Sequence, residues 1–422
     1  MKTRKKILFV LSFLPYPLSS GGSQAMFNGM DVVKDDFEIF VTYRSYGNGN
    51  KEGERKLAEL LEGKVRVLPC AFPNLAKKKP SFKQRVTTLF YKIEKRLRKV
   101  AGIDIPVRVR IPHKAWVEEE LFPKENFFVK HVLSLVEEYQ IDIVQCEMLC
   151  NVTLGLELPK QVRKVFVHHE LGWVVHQLEL QRQEGDVLEQ KTYLDFYRTC
   201  EVGLLNTFDE VITLSAIDTE KLKKAGVTVP IHTSLAVVNT STSELLPTDH
   251  WNVLSFVGPE CNTPNVEGVK WFLDNVWGSL RKRDDSYRLQ IIGRWTDKTI
   301  FGLLNGREGV SYLGFVDDLA NALKDTIMIV PITIGSGIRM KILEAASMGV
   351  PFVTTLVGVE GIPVENGVHC FVADTPKDFL ESILKLQDVD LRRQFASNAN
   401  RLVKEHYTLE ALRKNRLGVY NK

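Results

Sequence analysis

Residues 330–355 read VPITIGSGIRMKILEAASMGVPFVTT, and this stretch carries the clearest structural pattern of the chain. An apolar run that ends at Pro331 is typical of a buried strand, and a Gly-Ser-Gly loop follows it. Apolar periodicity then predicts a helix as far as Met348, with Gly349 as its C-cap. Glycines let backbone N–H groups approach a ligand, and a helix N-terminus carries partial positive charge. The stretch therefore predicts a strand, a loop and a helix that together bind an anion.

Two basic residues stand at the start of this predicted helix. Arg339 and Lys341 lie where acidic residues normally stabilise a helix, so their placement is explained if an external anion completes the site. Glu344 follows Lys341 on the same helix face, where its carboxylate could accept hydrogen bonds from ribose hydroxyls. The alternative is a solvated helix start with an ion pair between these bases and Glu344.

Apolar runs typical of buried strands alternate with helical patterns along the whole chain. Such alternation predicts an α/β architecture with doubly wound parallel sheets, and the number of runs exceeds one sheet of usual size. The polar stretch 239–250, rich in Ser and Thr, is the candidate linker. We predict an N-terminal domain over 1–238, a C-terminal domain over 251–400 and a C-terminal helix over 401–422. The N-terminal domain is one candidate docking place for that helix.

Composition excludes several classes of protein. The chain has 422 residues, 44% of them hydrophobic, which is ample for packed cores and excludes wholesale disorder. Six cysteines are too few for a disulfide scaffold, and no Cys/His group has metal-ligand spacing. Residues 2–14 fit a buried first strand, which we favour, or a secretory signal with basic residues before an apolar run. We therefore expect reduced thiols and a cytoplasmic protein.

The formal net charge of +4 conceals a strongly basic segment. Residues 71–114 hold thirteen Lys and Arg against two acidic residues, and apolar residues recur there at helical spacing. A basic amphipathic helix is typical of proteins that bind anionic lipid, so we predict that 77–114 contacts the inner face of the cell membrane. The alternative is a helix buried against the N-terminal sheet with a solvated basic face. No recognised nucleic-acid-binding motif accompanies the charge, and we expect no nucleic-acid partner.

Together with shorter motifs, the 330–355 stretch resembles the donor-binding segment of the retaining GT-B glycosyltransferases of family 4, also called glycosyl transferases group 1. The shorter motifs occur in the family's order and are Phe256-Val-Gly258 with Pro264-Asn265, Gln290-Ile-Ile-Gly-Arg294, Leu313-Gly-Phe-Val-Asp-Asp318 and Gly358-Val-Glu-Gly361. The resemblance is strong over 250–375 and weak over 1–240. It implies the GT-B fold, in which two doubly wound Rossmann-like α/β domains face a central cleft.

The resemblance implies a hexosyltransferase that moves a sugar, with retention, from a UDP- or GDP-sugar to a hydroxyl of a glycan or lipid-linked acceptor. Such a reaction belongs to the synthesis of cell-surface polysaccharides or glycoconjugates. It implies no cofactor and no metal, since helix N–H groups, Arg339 and Lys341 would meet the charge on the leaving diphosphate. The donor-binding residues that it implies are Gly21, Gly22, Gly258, Asn265, Arg294, Phe315, Val316, Gly335, Ser336, Gly337, Ile338 and Glu344. Gly21 and Gly22, after the first strand, resemble the family's glycine loop beside the donor phosphates and sugar, and an ordinary turn is the alternative.

The chain departs from the family pattern at two places. Ser336 stands where the family often has a first glutamate, eight positions before the one that Glu344 matches. Pro259 and Glu260 stand where many members have an Arg and a Lys after the first donor-domain strand. Arg339 and Lys341 are therefore expected to take over the diphosphate.

Paired histidines end a predicted strand at the cleft edge of the first domain. His168 or His169 could donate a hydrogen bond to a sugar hydroxyl or polarise the reacting centre. The family often has a His followed by an acid here, which favours His169 as the catalytic histidine. A structural histidine at a strand end is the alternative.

Three other functions fit the sequence less well. A non-catalytic scaffold that binds nucleotide sugars stays open because Ser336 replaces a family carboxylate. A sugar-nucleotide epimerase of similar architecture would need further acidic residues in the cleft. An NAD-dependent oxidoreductase is disfavoured because Gly21 and Gly22 are not part of a G-x-G-x-x-G fingerprint.

Overall fold

The molecule contains two parallel β-sheets with helices between their strands. A computed structural model describes residues 4–18, 20–45, 50–72, 121, 126–181, 186–238, 245 and 247–422. The predicted membrane-binding segment 77–114 and much of the predicted linker 239–250 lie outside these ranges.

The first sheet has the strand order β3-β2-β1-β5-β6-β7-β8, with β4 paired to β2. Along β1, Ile7 and Phe9 belong to one apolar cluster and Leu8 and Val10 to another, so this strand is covered on both faces. The first run of the chain therefore forms the predicted buried strand. The strands are β1 (Lys6–Leu11), β2 (Glu38–Ser45), β3 (Val65–Val67), β4 (Cys70–Ala71), β5 (Ile143–Glu147), β6 (Arg163–His168), β7 (Glu210–Thr213) and β8 (Ile231–Thr233).

The second sheet has the order β11-β10-β9-β12-β13-β14. In each sheet the strand order reverses beside the first strand, between β1 and β5 and between β9 and β12. Open α/β sheets bind ligands at such places, outside the carboxyl ends of the strands. The strands are β9 (Val253–Val257), β10 (Arg288–Ile292), β11 (Val310–Gly314), β12 (Ile327–Val330), β13 (Phe352–Thr354) and β14 (Phe371–Val372).

Helices connect the strands of both sheets, and within the described ranges none is long and apolar enough to cross a membrane. Those that follow the first strands are α1 (Gly21–Asp31), α2 (Lys51–Leu60), α3 (Asn126–Tyr139), α4 (Leu154–Glu157), α5 (Gly172–Leu180), α6 (Val187–Leu205) and α7 (Ala216–Ala225). The others are α8 (Thr263–Phe272), α9 (Gly278–Arg283), α10 (Asp297–Leu304), α11 (Leu319–Leu323), α12 (Met340–Met348), α13 (Pro376–Lys385), α14 (Val389–His406) and α15 (Leu409–Tyr420).

The strand, loop and helix predicted from 330–355 are confirmed as β12, a loop and α12. Gly349 ends α12 in the left-handed conformation at φ 73°, and its N–H donates to carbonyls of the last turn. This unit places its Gly-Ser-Gly loop at the carboxyl end of the second sheet, where the strand order reverses.

The predicted helix over 401–422 is divided between two helices. It comprises the end of α14 and the whole of α15, because Thr408 begins a new helix by accepting a hydrogen bond from the Ala411 N–H. Helix α15 packs on the first domain, where Arg413 donates to Asp36 at 3.0 Å and the Tyr420 ring stands edge-on to Phe37.

Candidate active site

The candidate site lies where the carboxyl ends of the two sheets face each other. Three contacts join the domains across it. The Leu171 N–H donates to Ser336 Oγ at 3.4 Å, Gln24 Nε2 donates to Glu344 Oε1 at 2.6 Å, and Lys221 forms an ion pair with Glu360. The structure therefore holds the two domains in a closed arrangement.

Arg339 is the N-cap residue of α12, and its guanidinium folds back over the preceding loop. Its Nη1 donates to the carbonyls of Ser336 and Gly337, the second at 2.7 Å. Its Nε and Nη2 have no hydrogen-bond partner among the described residues. Burial lowers the pKa of Arg339, but a guanidinium remains charged in proteins. The arrangement thus leaves buried N–H donors and a positive charge at a helix N-terminus.

Lys341 lies in the first turn of α12, where its ammonium is held by two side chains. Nζ donates to Asn265 Oδ1 at 2.6 Å and lies 4.3 Å from the centre of the Phe256 ring. Burial, assisted by the neighbouring charge of Arg339, lowers the pKa of Lys341 to about 7. A partly neutral lysine here is typical of a site in which an anion is needed to stabilise the charge.

Glu344 faces the first domain. Burial raises the pKa of its carboxyl, while the hydrogen bond from Gln24 and the charge of Lys341 act in the opposite direction. Lys341 bonds to Asn265 and Glu344 bonds to Gln24, so the helix-internal ion pair considered as the alternative is not the arrangement in this structure. The carboxylate predicted to hold a ribose accepts a hydrogen bond from an amide of the opposite domain in this structure.

The Gly-Ser-Gly loop approaches the first domain closely. Gly335 and Gly337 have φ angles of 114° and 80°, in the left-handed region that favours glycine. A Cβ atom at Gly337 would lie 2.6 Å from the carbonyl oxygen of His169. Ser336 is buried, and Ile338 packs partly buried beside it. Any side chain at 337 would therefore separate the two domains.

Gly21 and Gly22 do not form the glycine loop that the resemblance implies, because they are the first residues of α1. Ser20 caps this helix and exchanges hydrogen bonds with Ser23, the reciprocal arrangement known as a capping box. A Cβ atom at Gly21 would lie 2.5 Å from Cγ of Met340. The glycines therefore let one helix N-terminus approach another, and both carry partial positive charge at the cleft.

The remaining predicted donor residues lie on the loops of the second sheet. The Arg294 guanidinium stacks 4.8 Å from the centre of the Phe315 ring, which is 44% exposed, and Val316 packs against the core. At Gly258 a Cβ atom would lie 2.7 Å from Lys341 Nζ. The exposed ring offers a flat surface on which a nucleobase could stack.

Glu260 stands where the family often has a basic residue. Its carboxylate accepts hydrogen bonds from the Thr296 N–H and from the Thr299 hydroxyl, both at the start of α10. These hydrogen bonds lower the pKa of Glu260, so the group is an anion. An anion held in this way cannot attract a diphosphate, which leaves Arg339 and Lys341 as the basic groups at the helix start.

The two histidines at the end of β6 have different partners. His168 bonds at 2.7 Å to Glu201, which also accepts the N–H groups of Gly172 and Trp173 at the start of α5. His169 bonds through Nε2 to Glu147 at 2.7 Å and lines the cleft. His168 therefore fixes a helix to the sheet, whereas His169 lies at the candidate site, as the sequence predicts.

A cavity of about 260 Å³ adjoins His169 on the first domain. Its lining combines polar groups with apolar ones and comprises Ser12, Met148, Leu149, Cys150, His169, Glu170, Gly172, Val175 and His176. Apart from Glu170, the acid that follows His169, no sequence motif marks these neighbours of His169, and none marks Gln24 or Glu147. Within the described part of the chain, no three His, Cys, Asp or Glu side chains come together as metal ligands.

Solved structures with similar backbones are GT-B glycosyltransferases. A TarM mutant from S. aureus, in complex with Fondaparinux, alpha-GlcNAc-glycerol and UDP, has a TM-score of 0.68 at 15% identity, covering 99% of this chain and 100% of that one. HepE from Anabaena, in complex with UDP-glucose, has a TM-score of 0.65 at 15% identity, covering 99% of both chains. The predicted GT-B fold is thereby confirmed.

Sequence comparison adds a family match in the second domain and a relative that aligns over a longer part of the chain. Residues 252–388 match the family model described as glycosyl transferases group 1. A Klebsiella pneumoniae protein described as an uncharacterized 44.6 kDa protein in the cps region is 22% identical over 289 residues, which are 65% of this chain and 72% of that protein. Residues 252–388 therefore resemble the glycosyl transferases group 1, and the chain as a whole has the GT-B fold.

Proposed function

We propose that this protein transfers a hexose from a nucleotide-diphosphate sugar to a hydroxyl of a glycan or lipid-linked acceptor, with retention, as a member of family 4. The observation that carries the proposal is the start of α12, where Arg339 has buried Nε and Nη2 groups without a partner among the described residues, and where burial lowers the pKa of the neighbouring Lys341 to about 7. Helix N-termini with basic side chains bind phosphate groups in many folds. Retention and the family 4 assignment are supported by the resemblance of the 330–355 stretch.

The proposed donor is a UDP-sugar, with a GDP-sugar as the other candidate. TarM and HepE have this fold and bind UDP or UDP-glucose. The exposed Phe315 ring, with Arg294 stacked on it, is the proposed place of the base, and Glu344 that of the ribose. The Klebsiella relative in a cps region supports a role in polysaccharide synthesis.

In the proposed reaction the oxygen of an acceptor hydroxyl forms a bond to the anomeric carbon, and the bond from that carbon to the nucleoside diphosphate breaks. The hydroxyl proton passes to the leaving diphosphate. Negative charge develops on the leaving phosphate, and the α12 N-terminus, Arg339 and Lys341 stabilise it without reorganising. We propose that these groups make a metal unnecessary. His169 lies on the opposite side of the cleft, beside the cavity that we propose for the acceptor.

A panel of nucleotide sugars tests the donor. Addition of the correct UDP-sugar is expected to raise the melting temperature of the purified protein, because a ligand at about 100 times its Kd stabilises the folded state by about 2.7 kcal/mol. Differential scanning fluorimetry with UDP-, GDP-, ADP- and dTDP-sugars measures the shift, and the free nucleoside monophosphates are the control. A panel with no shift at saturating concentration would contradict the proposal.

Turnover of that donor distinguishes the proposed transferase from an epimerase and from a non-catalytic scaffold. A transferase releases nucleoside diphosphate in proportion to added acceptor, an epimerase converts the donor without acceptor, and a scaffold does neither. Chromatography of the products after incubation with and without glycan acceptors distinguishes the three.

We further propose a cytoplasmic protein that binds the inner face of the cell membrane through 77–114. The expected result is that the protein floats with vesicles containing anionic lipid and not with neutral vesicles, because lysines near an anionic surface each contribute about 1 kcal/mol. Replacing Lys77, Lys78 and Lys79 with glutamine is expected to reduce the floating fraction. The matched control replaces the exposed Lys298, Lys377 and Lys414. Equal recovery with both kinds of vesicle would contradict the membrane proposal.

A further inference from the structure

A chain of buried polar side chains connects α15 to His169. Tyr420, near the end of α15, donates its hydroxyl hydrogen to Gln145 Oε1. Gln145 Nε2 donates in turn to Glu147 Oε1 at 2.7 Å, and Glu147 Oε2 lies 2.7 Å from His169 Nε2. Tyr420 and Gln145 are fully buried, and Glu147 is 1% exposed, so solvent cannot replace these partners.

The direction of each hydrogen bond follows from the charge of Glu147. Burial alone would raise the pKa of this carboxyl, but the hydrogen bond from His169 and the charge of that ring when protonated lower it, as do the charge of Arg416 and the hydrogen bond from Gln145. An ionised carboxylate only accepts, so His169 Nε2 carries a hydrogen and donates it. In the neutral imidazole Nδ1 is then an acceptor, and it can accept a hydrogen from a substrate hydroxyl.

Arg416 supplies the positive charge from the same helix that carries Tyr420. It lies one turn before Tyr420, is 2% exposed, and its Nε and Nη1 have no partner among the residues that the structure describes. Burial raises the pKa of Tyr420 to about 12, and the charge of Arg416 acts in the opposite direction. The same charge helps to lower the pKa of Glu147. A buried cation beside this chain of hydrogen-bonded side chains favours the carboxylate form of Glu147.

We propose that Tyr420 is a positioning residue for His169, which it orients through Gln145 and Glu147. Helix α15 thereby contributes to the acceptor side of the cleft although it follows the last helix of the second domain. The positioning itself does not depend on the reaction, whereas its effect on turnover rests on the proposed function.

The chain offers a matched pair of variants for the test. Tyr420→Phe removes one hydroxyl and leaves Gln145 Oε1 without its donor. Tyr407→Phe removes the same group from a fully buried tyrosine whose hydroxyl has no partner in the described part of the chain. The NMR signals of the histidine Cε1–H groups show the effect of each variant on the surroundings of the histidines. The His169 signal is identified by its loss in His169→Asn.

In Tyr420→Phe the His169 signal is expected to move, while that of His168, bonded to Glu201, stays in place. Tyr407→Phe is expected to move neither signal. Gln145→Met breaks the chain of hydrogen bonds between Tyr420 and Glu147 and is also expected to move the His169 signal. Adding Tyr420→Phe to Gln145→Met is expected to cause no further movement, because both substitutions interrupt the same chain of hydrogen bonds. In a transfer assay Tyr420→Phe is expected to lower kcat about fivefold with the donor KM unchanged.

An unmoved His169 signal in Tyr420→Phe would overturn the proposal, as would equal movement of the His168 and His169 signals. Equal kcat values for Tyr420→Phe and wild type, in an active preparation, would overturn its consequence for the reaction. Because the NMR measurement needs no substrate, it decides the positioning even where no donor in the panel is turned over.

Discussion

Replacement of Lys341 with methionine is expected to lower turnover by about two to three orders of magnitude, the usual effect of removing one preorganised donor from a site of developing negative charge. Methionine retains the apolar stem of the side chain that packs near Phe256 and removes the ammonium. Donor turnover and donor affinity, measured together, show where the effect lies. Lys270→Met, at an exposed position on α8, is the matched control and is expected to leave both unchanged.

The same side chain makes donor binding dependent on pH. Burial lowers the pKa of Lys341 to about 7, and a diphosphate bound beside the ammonium would raise that pKa, so binding takes up a proton. Donor affinity is therefore greatest below pH 7 and falls as the pH rises through 7, by as much as tenfold per pH unit. Isothermal titration calorimetry between pH 6 and 9 measures this slope.

In Lys341→Met the slope above pH 7 is expected to disappear. A wild-type slope that persists in the variant would assign the titration to another group and contradict the role of Lys341. The companion variant Arg339→Ala tests the second basic residue, and unchanged donor affinity and turnover would show that the diphosphate binds elsewhere.

Patterns among neighbouring residues were sufficient to predict the part of the candidate site that lies within residues 330–355. The loop and helix of 330–355 could be predicted because strand ends, glycine turns and a C-cap glycine each depend on neighbouring residues. The same reasoning failed for Gly21 and Gly22, although Ser20 and Ser23 carried a capping signal there. A glycine pair after a strand is equally typical of a loop, so the residue types alone do not distinguish a loop from a capped helix start.

Contacts distant in the sequence could not be predicted in the same way. Glu147 and Glu201 decide the different roles of His169 and His168, but each lies on another element and joins its histidine only in the folded chain. Tyr420 is 275 residues from Gln145. The chemistry of the histidine pair was visible from the residue types, while its orientation depends on the whole fold.

Substitution of Gly337 with alanine is expected to lower turnover by about 100-fold, because it prevents the domains from closing. The added Cβ would lie 2.6 Å from the His169 carbonyl oxygen, a backbone atom that cannot move without displacing the end of β6. A displacement of about 1 Å at a reaction centre is enough for an effect of this size. The contacts between Gln24 and Glu344 and between Lys221 and Glu360 would lengthen with it.

Gly367→Ala is the matched control for backbone strain. Gly367 has φ 78°, close to the 80° of Gly337, and no atom lies within 4 Å of a Cβ atom placed there. Both variants should lose about 1–2 kcal/mol of stability for placing alanine in the left-handed region. Only Gly337→Ala should lose turnover and show an increased radius of gyration in solution scattering. Equal turnover in the two variants would mean that the closed arrangement is not the one in which the reaction occurs.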